Sequence, residues 1–136
     1  MKVVYICSPL RGDMERNISK AHEYCRRAIN MGVIPIAPHA VYTRYLDDRK
    51  PEQRERGLLI GQELLLKCDE VWAFGFEISE GMADEIEIAL QNNIPVYLCE
   101  DPNDPAEDAV ASGRLIHIIL DEKVVGIDGR QNYTPR

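Results

Sequence analysis

The chain has no surplus of positive charge: 16 Lys and Arg stand against 23 Asp and Glu, for a formal net charge of -7. Duplex nucleic acid is therefore excluded as the main partner, because neutralising phosphates needs a concentrated basic face. A small anionic ligand is still allowed, since a local pocket can be cationic on an acidic protein. Long hydrophobic runs are also missing, and none approaches the roughly 20 residues that cross a bilayer. The opening segment Met1-Lys2-Val3-Val4-Tyr5-Ile6-Cys7 is too short for a secretory leader and reads as a strand. Cys7, Cys25, Cys68 and Cys99 are widely spaced with no Cys-x-x-Cys pair, so they read as reduced, mostly buried thiols of a cytoplasmic protein. His22, His39 and His117 lie far apart with no ligand-like spacing, which disfavours a metal site. No cofactor is expected, and Cys7 lacks an identifiable histidine partner for thiol catalysis.

What is present is globular. At 136 residues, 45% hydrophobic and 29% charged, the chain suits one compact domain. Apolar runs at Val3–Cys7, Val33–Ala37, Glu70–Phe74, Pro95–Cys99 and Leu115–Leu120 predict strands. Helical periodicity covers Met14–Met31, a segment from Pro51 or Glu52 to Cys68, Ser79–Asn92 and a short stretch at Ala106–Ala111. Residues 40–53 are the least regular and read as a loop covering a site, with Asp47-Asp48-Arg49-Lys50 as a solvated turn. Continuous apolar strands alternating with helices predict an α/β domain: a doubly wound, flavodoxin- or Rossmann-like parallel sheet of five strands with helices on both faces. The domain is expected over residues 1–127, with a loosely ordered or partner-docked tail at 128–136.

Right-handed crossovers put the strand-to-helix loops on one sheet edge, where ligands of open α/β sheets bind. The first loop, Ser8-Pro9-Leu10-Arg11-Gly12-Asp13, offers a hydroxyl, a guanidinium and a glycine ahead of a helix start, a set suited to phosphate. It is neither a Walker loop nor a dinucleotide turn, and a plain turn with an N-cap Asp and a surface Arg fits it about as well. In the second loop Ser79 is a natural N-cap and Gly81 allows close approach of a ligand. Glu85 flanks the stripe Met82, Ala83, Ile86, Ala89 and Leu90 near the helix start, ahead of Glu77, Glu80, Asp84 and Glu87 as the reactive carboxylate. The helix dipole is expected to keep it ionised, as a nucleophile requires. The bland alternative is an acidic residue that only complements the dipole. Trp72 and Phe74 read as core, and Tyr42 and Tyr45 as candidates for stacking on a base.

Over residues 3–100 these segments resemble the nucleoside 2-deoxyribosyltransferase superfamily, nearest its 2′-deoxynucleoside 5′-monophosphate N-glycosidase branch and small uncharacterised phage and bacterial relatives. The resemblance rests on Tyr5 with Cys7-Ser8-Pro9-Leu10-Arg11-Gly12, on His39 at the second strand's end, and on Ser79-Glu80-Gly81-Met82-Ala83-Asp84-Glu85. It implies cleavage of the base–sugar bond of a (deoxy)nucleoside 5′-monophosphate through a covalent glycosyl-Glu85 intermediate, with Tyr5 orienting the nucleophile. Ser8, Arg11, Gly12, Ser79 and Gly81 would surround the nucleotide's 5′ end, and His39 would bind sugar or base. Transferases of the superfamily carry Asp where this chain has Ser79, and a serine there favours a phosphate over a free 5′-hydroxyl. The family's Asp for the leaving base falls on Gly61, which leaves His39, Asp47, Asp48 and Glu63 as alternative acids. A homodimer or larger homo-oligomer is also implied, with Ser112 at the position that reaches a neighbouring site. The competing readings are a non-catalytic nucleotide sensor, a base-exchanging transferase, and a hydrolase of another N-glycoside.

Overall fold

The computed structural model describes residues 1–75 and 78–99, together with the backbone of Ile118–Leu120 and Lys123–Gly126. In chain order the elements are β1 (Val3–Cys7), α1 (Met14–Asn30), β2 (Ile34–Ile36), α2 (Pro38–Val41), a 3-10 turn (Tyr42–Arg44), α3 (Pro51–Leu65), β3 (Glu70–Phe74), α4 (Glu80–Gln91), β4 (Val96–Cys99), β5 (Ile118–Leu120) and β6 (Lys123–Gly126). The first four strands form a parallel sheet in the order β2-β1-β3-β4, with Tyr5 beside Ile36 on one side and Val71 on the other. This is the doubly wound order, in which the chain reverses direction at β1 and opens a crevice beyond its carboxyl end.

Alternation along the strands explains the two layers. Val4, Ile6, Trp72 and Phe74 point to the face covered by Ala21, Tyr24 and Ala28 of α1 and Ala40 of α2. Tyr5, Cys7, Val71 and Ala73 point to the opposite face, under Leu65 of α3 and Met82, Ile86 and Ala89 of α4. Strands buried on both faces carry no polar alternation, which is why they read as continuous apolar runs. Phe74 stacks on Tyr24 with centroids 4.3 Å apart. Phe74→Ala should cost about 3–5 kcal/mol, the usual penalty for emptying a buried aromatic site, read as a lower denaturant midpoint at unchanged slope. At the sheet's other end the buried carboxylate of Glu70 accepts from Lys2 Nζ at 2.7 Å and Trp72 Nε1 at 3.0 Å, so Trp72 is a core residue.

Two expectations need correction. The segment expected to add a fifth parallel strand instead pairs antiparallel: β5 joins β6 in a separate two-stranded sheet. The apolar run resembled the other strands, but the strand that begins at Lys123 is so close in sequence that pairing with it is the shorter connection. Residues 40–53 are also more regular than expected, because α2 and the 3-10 turn fill their first part. Each is too short to leave a periodic signal. Asp47 and Arg49 do form the solvated turn, with Nε–Oδ1 at 3.0 Å. The expected helix at 106–111, Ser112 and the boundary at 127/128 lie outside the described residues. All four cysteines are free thiols, with Cys7, Cys68 and Cys99 buried. No helix among the described residues is long and apolar enough to cross a membrane.

Candidate active site

β1 delivers its side chains to the crevice in alternation. Tyr5 and Cys7, two apart, share the face under α4, and both reach Glu85. The Tyr5 hydroxyl donates to Glu85 Oε2. The Cys7 thiol lies 3.7 Å from Oε1 and 3.8 Å from the Met82 carbonyl. Both carboxylate oxygens are thus addressed from one strand.

The electrostatics of Glu85 differ from expectation. Burial raises its pKa to about 7, against the lowering effect of the Tyr5 and Cys7 hydrogen bonds, with Asp84 adding a further rise. The expected ionisation by the helix dipole is overturned because Glu85 is the sixth residue of α4, past the first turn where that field acts. Glu80 occupies the first turn instead. At neutral pH the carboxyl is poised between its two forms, and desolvation is the dominant cause. Burial and the neighbouring Glu85 likewise hold the Tyr5 hydroxyl and the Cys7 thiol well above their usual pKa values. Cys7 is consequently a protonated thiol rather than a thiolate nucleophile.

One residue further, Ser8 leaves the strand and is only 5% exposed. Its Oγ lies 2.8 Å from His39 Nε2, in the first turn of α2. Burial, with the nearby His22 charge, lowers the His39 pKa to about 4, so the imidazole is neutral at pH 7. The histidine is therefore paired with Ser8, while Cys7 is paired with Glu85.

Beyond Pro9 and Leu10, which are half-buried, the first loop is exposed. Asp13 caps α1, accepting from Arg16 N at 3.2 Å, so the plain N-cap reading of this residue is correct. Gly12 has φ +96°, a conformation that glycine adopts without strain. Asn17, which the sequence reading passed over, donates Nδ2 to the carbonyls of Leu10 at 3.0 Å and Arg11 at 3.1 Å and pins the loop to α1. Its only sequence signal is an amide one turn into the helix that follows. Arg11 and Gly12 are exposed above this support.

In the second loop Ser79 is the N-cap of α4, and its Oγ accepts from Met82 N at 3.2 Å. Capping uses a lone pair and leaves the hydroxyl proton available to an acceptor. Gly81 has open space where a side chain would stand. On α3, a Cβ at Gly61 would lie 3.5 Å from the Tyr5 hydroxyl, so this position faces the Tyr5–Glu85 pair. Glu63 is exposed two residues further on, and Asp47 is bound by Arg49 in its own turn. Tyr42 and Tyr45 meet edge to face at 5.7 Å, with Tyr45 exposed. Among the described residues no cluster of His, Cys, Asp or Glu could hold a metal ion.

Solved structures share this arrangement of strands and helices. The 2-deoxyribosyltransferase of the psychrotolerant bacterium Bacillus psychrosaccharolyticus superposes with a TM-score of 0.57 at 17% identity, covering 75% of this chain and 74% of its own. The CMP N-glycosidase BcmB of Clostridium botulinum is a weaker likeness, with a TM-score of 0.47 at 16% identity over 82% of each chain. The fold is thus that of the nucleoside 2-deoxyribosyltransferases. Nothing among curated proteins matches the sequence. A family model does: it spans residues 2–99, which take in the whole parallel sheet and every site residue described above, and the chain belongs to that family, the domain of unknown function DUF7768.

Proposed function

We propose that the protein is an N-glycosidase that cleaves the base–sugar bond of a (deoxy)nucleoside 5′-monophosphate through a covalent glycosyl-Glu85 intermediate. The observation that carries this reading is the Tyr5 hydroxyl donating to the Glu85 carboxylate at the sheet's carboxyl edge, on a fold shared with a 2-deoxyribosyltransferase. Glu85 attacks the anomeric carbon as the carboxylate, the base departs, and water resolves the glycosyl ester. Tyr5 holds Oε2, so the attacking oxygen is Oε1, beside the Cys7 thiol. His39 is neutral and acts in binding, joined to Ser8. Arg11, Gly12, Ser8, Ser79 and Gly81 receive the 5′-phosphate.

The capping geometry of Ser79 supports phosphate over hydroxyl, since its free proton can donate to an anion. Ser79→Asp should reverse that preference. Two charges 4 Å apart at an effective dielectric of 20 repel by roughly 4 kcal/mol, and kcat/KM for monophosphates should drop relative to free nucleosides by at least about a hundredfold. An unchanged ratio would remove Ser79 from the phosphate site.

The direct test is incubation with ribo- and deoxyribonucleoside 5′-monophosphates and free nucleosides, with released base followed by chromatography. Release from monophosphates that Glu85→Ala abolishes is the expected result. Release only from free nucleosides would favour the base-exchanging reading, and binding without release the sensor reading.

A homodimer is proposed with it. α3 and its C-cap leave Leu58, Leu59 and Leu66 exposed at 57%, 55% and 45%, apolar surface that a second copy would cover. Leu59→Lys should then shift the mass seen by light scattering from dimer to monomer. A wild-type monomer would end this reading.

A further inference from the structure

Breaking a glycosidic C–N bond leaves an electron pair on the departing nitrogen. A neutral purine or pyrimidine then needs a proton, and a placed general acid typically supplies about 10²–10⁴ in rate. The described side chains around Tyr5 and Glu85 do not offer one. The α3 position facing the pair is Gly61, where a Cβ would stand 3.5 Å from the Tyr5 hydroxyl. Glu63 is exposed. Asp47 is engaged by both Nε and Nη2 of Arg49, which holds it ionised. His39 has Nε2 taken up with Ser8 and is neutral at pH 7. Tyr5 has its proton committed to Glu85.

We infer that the substrate brings its own positive charge: an N-glycoside 5′-phosphate whose glycosidic nitrogen is quaternary, as in a pyridinium nucleotide. This inference rests on the N-glycosidase reading of Glu85 and narrows its substrate class. A Glu85 oxygen forms the bond to C1′ as the C1′–N bond breaks. The released electron pair neutralises the ring nitrogen, and the pyridine leaves uncharged without taking up a proton. Water then adds to the glycosyl carbon, the ester bond breaks to regenerate the Glu85 carboxylate, and the water's proton passes to solvent.

The environment of Glu85 fits such a ligand for a second reason. Burial favours its protonated form in the free protein, and a cationic ring alongside favours the carboxylate. Binding therefore ionises the nucleophile, and that attraction ends when the neutral ring forms. The glycine at position 61 also leaves the α3 side of the pair without a side chain.

The experiment compares nicotinamide mononucleotide with CMP, AMP, dCMP and dAMP as substrates of the full-length protein, with Glu85→Gln as control. The expected result is a kcat/KM for the pyridinium nucleotide at least about a hundredfold above every neutral-base nucleotide, lost in Glu85→Gln. Neutral-base nucleotides cleaved as fast or faster would overturn this inference and leave the N-glycosidase reading standing. No release from any of them would overturn both.

Discussion

Replacing Glu85 by Gln is expected to abolish base release, by more than about a thousandfold, while the protein stays folded. The amide keeps a hydrogen-bonding group for Tyr5 but cannot form the glycosyl ester. Its effect on stability should be the reverse of its effect on activity. Glu85 has its folded-state pKa raised to about 7 from an ordinary carboxylate value near 4.5. Below pH 4 both folded and unfolded chains hold the proton, so this group's contribution is fully present. As pH rises to 7 the unfolded chain releases its proton first, and stability is lost until the folded carboxyl has titrated as well. The melting temperature of Glu85→Gln relative to wild type should therefore climb between pH 4 and pH 8. His39 produces the opposite slope over pH 4 to 6.5, since its folded pKa is lowered, but it is common to both proteins and cancels in the difference. A difference in melting temperature that stays level with pH would show that Glu85 is an ordinary solvated carboxylate.

Tyr5→Phe is the second large effect. The hydroxyl donates to Glu85 Oε2 and lowers that group's pKa, so its loss should move the acid limb of the pH–rate profile to higher pH. A hydrogen bond to a charged group is worth about 1.5–3 kcal/mol, or about ten- to a hundredfold in rate at neutral pH. Raising the pH should recover part of the loss, because more Glu85 then ionises. A drop in rate with an unmoved limb would mean that Tyr5 positions the sugar instead of tuning the carboxyl.

Much of this candidate site is legible in the sequence. Ser8 and His39 follow strand ends and Ser79 stands at a helix start, and the topology alone sends those ends to one edge, while Tyr5 stood out only through the resemblance. Pairing was not visible. Cys7 seemed to lack a histidine and His39 seemed isolated, yet the two proved to be engaged separately, one with Glu85 and the other with Ser8. Asn17 left only a faint mark because its partners are backbone carbonyls, which every sequence has.

Periodicity and composition were enough for the parallel strands, the helices that cover them and the edge that receives a ligand, because burial on both faces writes itself into the chain as unbroken apolar runs. Residue types also singled out Glu85 as the candidate carboxylate ahead of four acidic neighbours. Its protonation required the folded protein. Helix position alone argued for an ionised carboxylate, but desolvation depends on how β1 and α4 close over the group, and that closure pushed its pKa up to about 7. The fate of the fifth apolar run was settled the same way: β5 found its partner in the hairpin strand β6 rather than in the parallel sheet. An apolar segment specifies that it will be buried, and its neighbours in space decide against what.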